Sequence, residues 1–111
     1  MKILNLIIKQ IYFDEILAGT KKQEFREVKP TTSKKYIMEG SEDAGPIIYY
    51  AIRFYVGYNK NRATALVQVT GASIKVMTNK FGYDIISDYK GVKYTVSEIT
   101  YDLGKVLESS F

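Results

Sequence analysis

Lys21, Glu24 and Arg26 are the residues of this chain whose types and spacing point most directly to chemistry, and they lie in the run Gly19-x-Lys21-x-x-Glu24-x-Arg26. A carboxylate set between two cations can fix their positions while leaving donors for a phosphate or for the polar edge of a base. A lysine near a carboxylate also permits acid–base work where burial moves either group toward neutrality. The same side chains make an ordinary exposed ion cluster as well, worth about 0–1 kcal/mol per pair and without function.

Which of these holds depends on a helix, a turn and a strand. Ile11, Phe13, Ile16 and Leu17 fall close to an i, i+3, i+4 pattern, which predicts a short helix over 11–18 with Gly19 as its C-cap. Residues 22–28 then alternate and predict a strand, with Phe25 anchoring one face and Glu24 with Arg26 on the other, facing outward or into a cleft. Upstream, 3–8 is short and rich in β-branched residues, as a first strand would be. Downstream, Pro30 stops the second strand, and Thr31-Thr32-Ser33 ahead of Lys34-Lys35-Tyr36 predicts another short helix begun by capping hydroxyls. Residues 40–46 have the Gly, Ser, Asp and Pro content of a flexible loop, with Glu39, Glu42 and Asp43 around it.

The second half reads as strands and turns. Over 47–56, Ile52, Phe54 and Val56 share one face of a strand and Arg53, Tyr55 and Gly57 the other. Asn59-Lys60-Asn61-Arg62 is turn chemistry, and alternation resumes over 63–69, which predicts a hairpin. Gly71 marks a bulge or bend before 73–77; turns follow at Phe81-Gly82-Tyr83 and Lys90-Gly91; 92–101 alternates again; and 102–108 is expected to close the chain as one helical turn. Several strands, two short helices near the N-terminus and no βαβ rhythm predict an α+β fold with a curved or closed sheet. Arg53 and Tyr55 can supply a cation and a stacking ring to single-stranded RNA, or can simply pack across strands. Lys60 and Arg62 in the hairpin turn can touch phosphates or remain solvated.

Composition bounds the chemistry further. At 111 residues the chain is expected to form a single domain, residues 1–111, around one modest core. It has neither Cys nor His, which excludes zinc sites built from those residues, cysteine nucleophiles, Ser-His-Asp triads and histidine acid–base pairs. Catalysis, if present, runs on Lys, Glu, Asp, Tyr, Thr or Ser. Without a disulfide framework, a recognisable secretion signal or an apolar run of membrane-spanning length, a cytoplasmic protein is expected, with no membrane partner. No acidic cluster suggests a metal, and no cofactor is expected. The net charge is +4, and its excess is local: Lys21, Lys22, Arg26, Lys29, Lys34 and Lys35 face only Glu24 and Glu27 between positions 21 and 35. Such a cluster suits a phosphate-bearing partner or a solvated face. Ten Tyr and five Phe suit strands, and their rings can also stack on bases.

The segment Tyr12-Phe13-Asp14-Glu15-Ile16-Leu17-Ala18-Gly19-Thr20-Lys21-Lys22-Gln23-Glu24-Phe25-Arg26 resembles the signature of the ASCH family, in which a helix ends at Gly, a Lys follows two residues later, and an acidic or hydroxyl residue alternates with Arg along the next strand. Ile52-Arg53-Phe54-Tyr55-Val56-Gly57-Tyr58 is similar to that family's long core strand, and Ile99-Thr100-Tyr101-Asp102-Leu103-Gly104-Lys105-Val106-Leu107 to its closing strand. The resemblance implies a PUA-like fold, a curved or closed β-barrel, and an RNA-binding cleft lined by Lys21, Glu24 and Arg26, with Lys34, Lys35, Arg53 and Tyr55 at its periphery. It implies RNA or a modified nucleoside as partner. It also implies an enzymatic alternative, because some members are amidohydrolases on acetylated cytidine and others are read as ribonucleases. In the amidohydrolase pattern a Thr nucleophile stands at the position of Glu24, beside a Lys matching Lys21, so this chain keeps the lysine and lacks the hydroxyl. Recognition of a protein or of a small anionic ligand is a third reading.

Overall fold

Apolar residues recurring at every second position drive about half of this chain into strands, and a computed structural model, which describes residues 1–38 and 45–110, places them as follows. In chain order the elements are β1 (Ile3–Ile8), α1 (Gln10–Ala18), β2 (Gln23–Val28), α2 (Ser33–Tyr36), β3 (Ala51–Val56), β4 (Thr64–Val76), β5 (Ile86–Tyr89), β6 (Val92–Thr95) and β7 (Ser97–Ser110). Five strands form one sheet in the order β1-β3-β4-β7-β2, and β5 pairs with β6 in a second. The fold is α+β with two short helices in its N-terminal part. Its larger sheet is open, ending at β1 and β2, so the closed barrel expected as one form of the sheet is not made.

The described residues group into two units. The first comprises Met1–Glu24, Ile48–Gly71 and Tyr101–Phe111; the second comprises Phe25–Ile47 and Ala72–Thr100.

In the first unit β1 runs parallel to β3, from Ile3 opposite Ala51 to Ile8 opposite Val56, and β3 runs antiparallel to β4, from Ala51 opposite Gln68 to Tyr55 opposite Thr64. This register puts Leu4, Leu6 and Ile8 on the same buried face as Ile52 and Phe54. Helix α1 contacts β3 and buries Phe13 and Ile16. Each such side chain contributes roughly 1.5–3 kcal/mol by leaving water. The helix stops where expected, at Gly19, whose φ of 80° is left-handed backbone that glycine adopts without a Cβ penalty.

In the second unit Met77, Ile85 and Val96 exchange backbone hydrogen bonds in a ring. The Met77 N–H donates to Val96 C=O at 2.8 Å, Val96 N–H to Ile85 C=O at 2.8 Å, and Ile85 N–H to Met77 C=O at 3.0 Å. The Asn79 Oδ1 accepts from the N–H groups of Phe81 and Tyr83, closing the turn predicted there. The β5–β6 hairpin runs from Ile86 opposite Thr95 to Tyr89 opposite Val92.

Several local expectations are corrected. Thr32 does not cap α2: its hydroxyl turns back to accept from the Lys29 N–H at 3.0 Å. Strand β3 starts at Ala51, later than residue 47: Ile47 N–H donates to Tyr36 C=O at 2.8 Å, and only from Tyr50, whose N–H donates to Lys2 C=O at 2.9 Å, is the backbone aligned with β1. Gly71 lies inside β4, which runs on through it to Val76; a Cβ there would stand 2.9 Å from Asp102 Oδ2. Residues 102–108 are strand, not a helical turn. They belong to β7, which lies between β4 and β2 in the sheet, and Thr70 Oγ1 also donates to Asp102 C=O at 3.3 Å and Lys105 N–H to Gln68 Oε1 at 3.4 Å. Of the loop expected over 40–46, residues 40–44 lie outside the described residues, as do Glu39, Glu42 and Asp43; at its ends Met38 N–H donates to Gly45 C=O at 3.1 Å and Ile37 bridges Pro46.

Candidate functional site

The turn after α1 is built by one carbonyl. Glu15 C=O accepts from Thr20 N–H at 3.0 Å, from Lys21 N–H at 3.1 Å and from the Thr20 hydroxyl at 3.2 Å, while Gly19 N–H donates to Ile16 C=O at 3.1 Å. The left-handed Gly19 makes this reversal possible, and the reversal returns Lys21 toward the helix it has just left. Its Nζ lies 5.4 Å from the centroid of the Tyr12 ring. Tyr12 is 46% exposed, so an ammonium and an accessible aromatic ring meet at one spot, worth about 0.5–1 kcal/mol as a cation–π contact at an exposed site.

Glu24 is the buried charged residue of the described chain, 6% exposed. The register of β2 against β7 explains why. Leu103 N–H donates to Lys22 C=O at 2.9 Å, and the Gln23 side-chain amide donates to Asp102 Oδ1 at 2.8 Å on the solvent side. One step further along each strand come Glu24 and Tyr101, which therefore face inward together; Tyr101 is fully buried. Tyr49 meets Tyr101 edge-on, with ring centroids 6.3 Å apart and planes at 70°. Burial raises the Tyr49 phenol above its ordinary value. A carboxylate thus shares the inner side of this unit with two phenols.

The expectation for β2 is thereby sharpened on one side and overturned on the other. Glu24 faces in. Phe25, expected to anchor the strand, is 47% exposed, because it has the same parity as the solvent-facing Gln23.

Arg53 and Tyr55, also in the first unit, share a face of β3 but have separate partners. Arg53 Nη2 pairs with Glu108 Oε2 at 3.2 Å. The Tyr55 hydroxyl donates to Asn5 Oδ1 at 3.1 Å, and the Arg62 guanidinium carbon lies 4.3 Å from the Tyr55 ring centroid. Arg26, Lys34 and Lys35 belong to the second unit. There Arg26 is half-buried, Lys34 and Lys35 are exposed, and Lys35 Nζ lies 5.6 Å from the ring centroid of the buried Tyr36.

Tyr12 and Tyr101 were not assigned roles by sequence, and Tyr55 and Arg62, each read as a nucleic-acid contact, were not expected to stack on one another. Tyr12 could have been found from its position on the polar side of α1, within reach of a chain reversing at Gly19. The stack could have been found from the hairpin itself, which brings the end of β3 back against the residues preceding β4. Tyr101 had no local signal, since its place depends on the β2–β7 register.

Among the described residues no three Asp or Glu side chains gather where they could share a metal ion. No helix among them is long and apolar enough to cross a membrane. Compared with known proteins, the chain matches no family model, no curated protein and no solved structure at significant similarity.

Proposed function

We propose that this chain is an RNA-binding module of the ASCH type that engages its ligand at the turn following α1. The observation that carries the reading is Lys21 held by the Gly19 turn against the exposed Tyr12 ring. A fixed ammonium suits a phosphate, and the adjoining aromatic ring offers a base a surface to stack on; single-stranded RNA is recognised by that combination of contacts. The run Gly19-x-Lys21-x-x-Glu24-x-Arg26, with its resemblance to the ASCH signature, supports the same reading, and the local excess of Lys and Arg suits the partner's charge. In the second unit Lys34 and Lys35 are exposed cations, residue types that suit phosphates without regard to sequence.

A second reading, hydrolysis of a modified nucleoside or of RNA, is favoured by the burial of Glu24 beside the position of Tyr101. A carboxylate withdrawn from water is a candidate acid or base for Lys21 to assist, although no hydroxyl stands at position 24 to act as nucleophile.

Titration of labelled RNA pools at low and at physiological salt, against wild type and Lys21→Ala, tests the first reading. Binding that weakens with salt and is reduced in the variant supports it; equal binding by both proteins removes it. Incubation of the same RNAs and of acetylated cytidine with wild type and Glu24→Gln tests the second, which requires turnover that the variant loses.

A further inference from the structure

The hairpin between β3 and β4 holds a cation whose charge is not met in the way its neighbour's is. Arg53 is neutralised by Glu108 at 3.2 Å. Arg62 is held instead by neutral groups: its Nη1 donates to Gly57 C=O at 2.9 Å, and its guanidinium carbon lies 4.3 Å from the Tyr55 ring centroid. No carboxylate pairs with it among the described residues. Three further contacts stiffen the arrangement. Tyr55 is fixed by its hydroxyl on Asn5 at 3.1 Å, the Arg62 N–H donates to Asn59 C=O at 3.2 Å, and Gly57 adopts a φ of 65°, left-handed backbone suited to glycine. A guanidinium stacked on a ring and tethered through one nitrogen has already lost most of its rotamer freedom, and its remaining N–H groups form a fork that matches two oxygens of a phosphate. Lys60, exposed in the same turn, adds positive charge nearby.

We propose that Arg62, seated on Tyr55, is a preorganised site for a phosphate group, with a phosphodiester of the RNA backbone as its natural occupant. The phosphate chemistry stands on the hairpin alone; the RNA source rests on the function proposed above. Two probes separate them.

In the first, the Arg62 guanidinium N–H resonances of wild type are followed by NMR while inorganic pyrophosphate is added at constant ionic strength, with sodium chloride as control. Saturable shifts with pyrophosphate and none with chloride are expected, and absence of a pyrophosphate-specific shift overturns the site. In the second, labelled oligouridylate is titrated across a range of salt concentrations against wild type, Arg62→Gln and Arg53→Gln. One lost phosphate contact lowers the slope of log K against log salt by about 0.7 and affinity at 0.1 M salt by about fivefold. Arg62→Gln is expected to show both, and Arg53→Gln, whose charge is already met by Glu108, to show the smaller loss. Equal losses in the two variants overturn the proposal, since a generic charge effect would then suffice. Pyrophosphate shifts without any oligouridylate binding keep the phosphate site and overturn RNA as its source. Thermal melting of each variant controls for folding. Tyr55→Phe, which keeps the ring and loses only the Asn5 bond, should lose less oligouridylate affinity than Tyr55→Leu, which should bind as Arg62→Gln does; the reverse order overturns the seating.

Discussion

The Gln23 side-chain amide donates to the Asp102 carboxylate at 2.8 Å across β2 and β7, and the register this pair marks sets which way the central motif faces. With Gln23 and Asp102 together on the solvent side, the next residues on the two strands, Glu24 and Tyr101, turn inward, and Phe25 turns out again. A shift of one residue in register would expose the carboxylate and bury the phenylalanine. Withdrawal of Glu24 from water is therefore a property of strand pairing, independent of any partner the carboxylate has.

Glu24→Gln, whose amide keeps the shape and hydrogen-bonding capacity of the buried side chain, is expected to melt close to the wild-type temperature while losing ligand binding. Leucine at this position would instead strand the groups that meet the carboxylate, and removing one partner of a buried polar pair is strongly destabilising. The check is a thermal melt followed by circular dichroism, run beside the RNA titration. A melting temperature several degrees below wild type, with binding retained, assigns Glu24 to structure.

Gly104→Ala should destabilise by about 1–3 kcal/mol, the usual cost of forcing an extra methyl into a filled space. A Cβ at Gly104 would stand 2.6 Å from Gln68 Oε1 and 2.9 Å from Thr70 Cγ2. The Gln68 end is flexible and can move, but the β-branched Thr70 cannot easily do so. Urea unfolding of Gly104→Ala and of Gly104→Ala/Gln68→Ala distinguishes the two contacts: partial recovery in the double variant is expected, with the remaining loss due to Thr70.

Much of this arrangement is legible in the sequence because it is local. Strand β1, helix α1 with its Gly19 cap and the turn carrying Asn59 to Arg62 depend on residues within a few positions of one another. What sequence could not give depends on distant pairing. Period two groups Glu24 with Arg26 and separates them from Phe25, but the inward face is chosen by pairing with β7, where Asp102 meets Gln23 from 79 positions away. Residues 102–108 carry a Gly-interrupted pattern short enough to suit a helical turn, yet their place between β4 and β2 makes them part of β7. Arg53 and Tyr55 look equivalent along β3 until Glu108 takes one and Arg62 the other.

Alkaline pH should destabilise wild type more than Tyr49→Phe. Burial disfavours the Tyr49 phenolate, so its folded value lies above the ordinary 10.0 and the folded chain keeps this proton longer than the unfolded chain does. The resulting stability is complete below the ordinary value and is lost as pH rises through the raised one. Urea midpoints measured at about pH 9 and about pH 11 for both proteins show this as a larger drop in wild type. Parallel drops would mean that Tyr49 ionises alike in both states.

The central claim, that RNA is bound at the turn after α1, is tested most directly by mapping amide chemical shifts while a short single-stranded RNA is added to isotope-labelled protein. The account predicts that the amides of Gly19, Thr20, Lys21 and Lys22 shift saturably, together with the Tyr12 ring, and that Lys21→Ala abolishes these shifts while leaving the spectrum folded. Binding that leaves residues 19–22 and Tyr12 unmoved, or no binding at low salt, would contradict it.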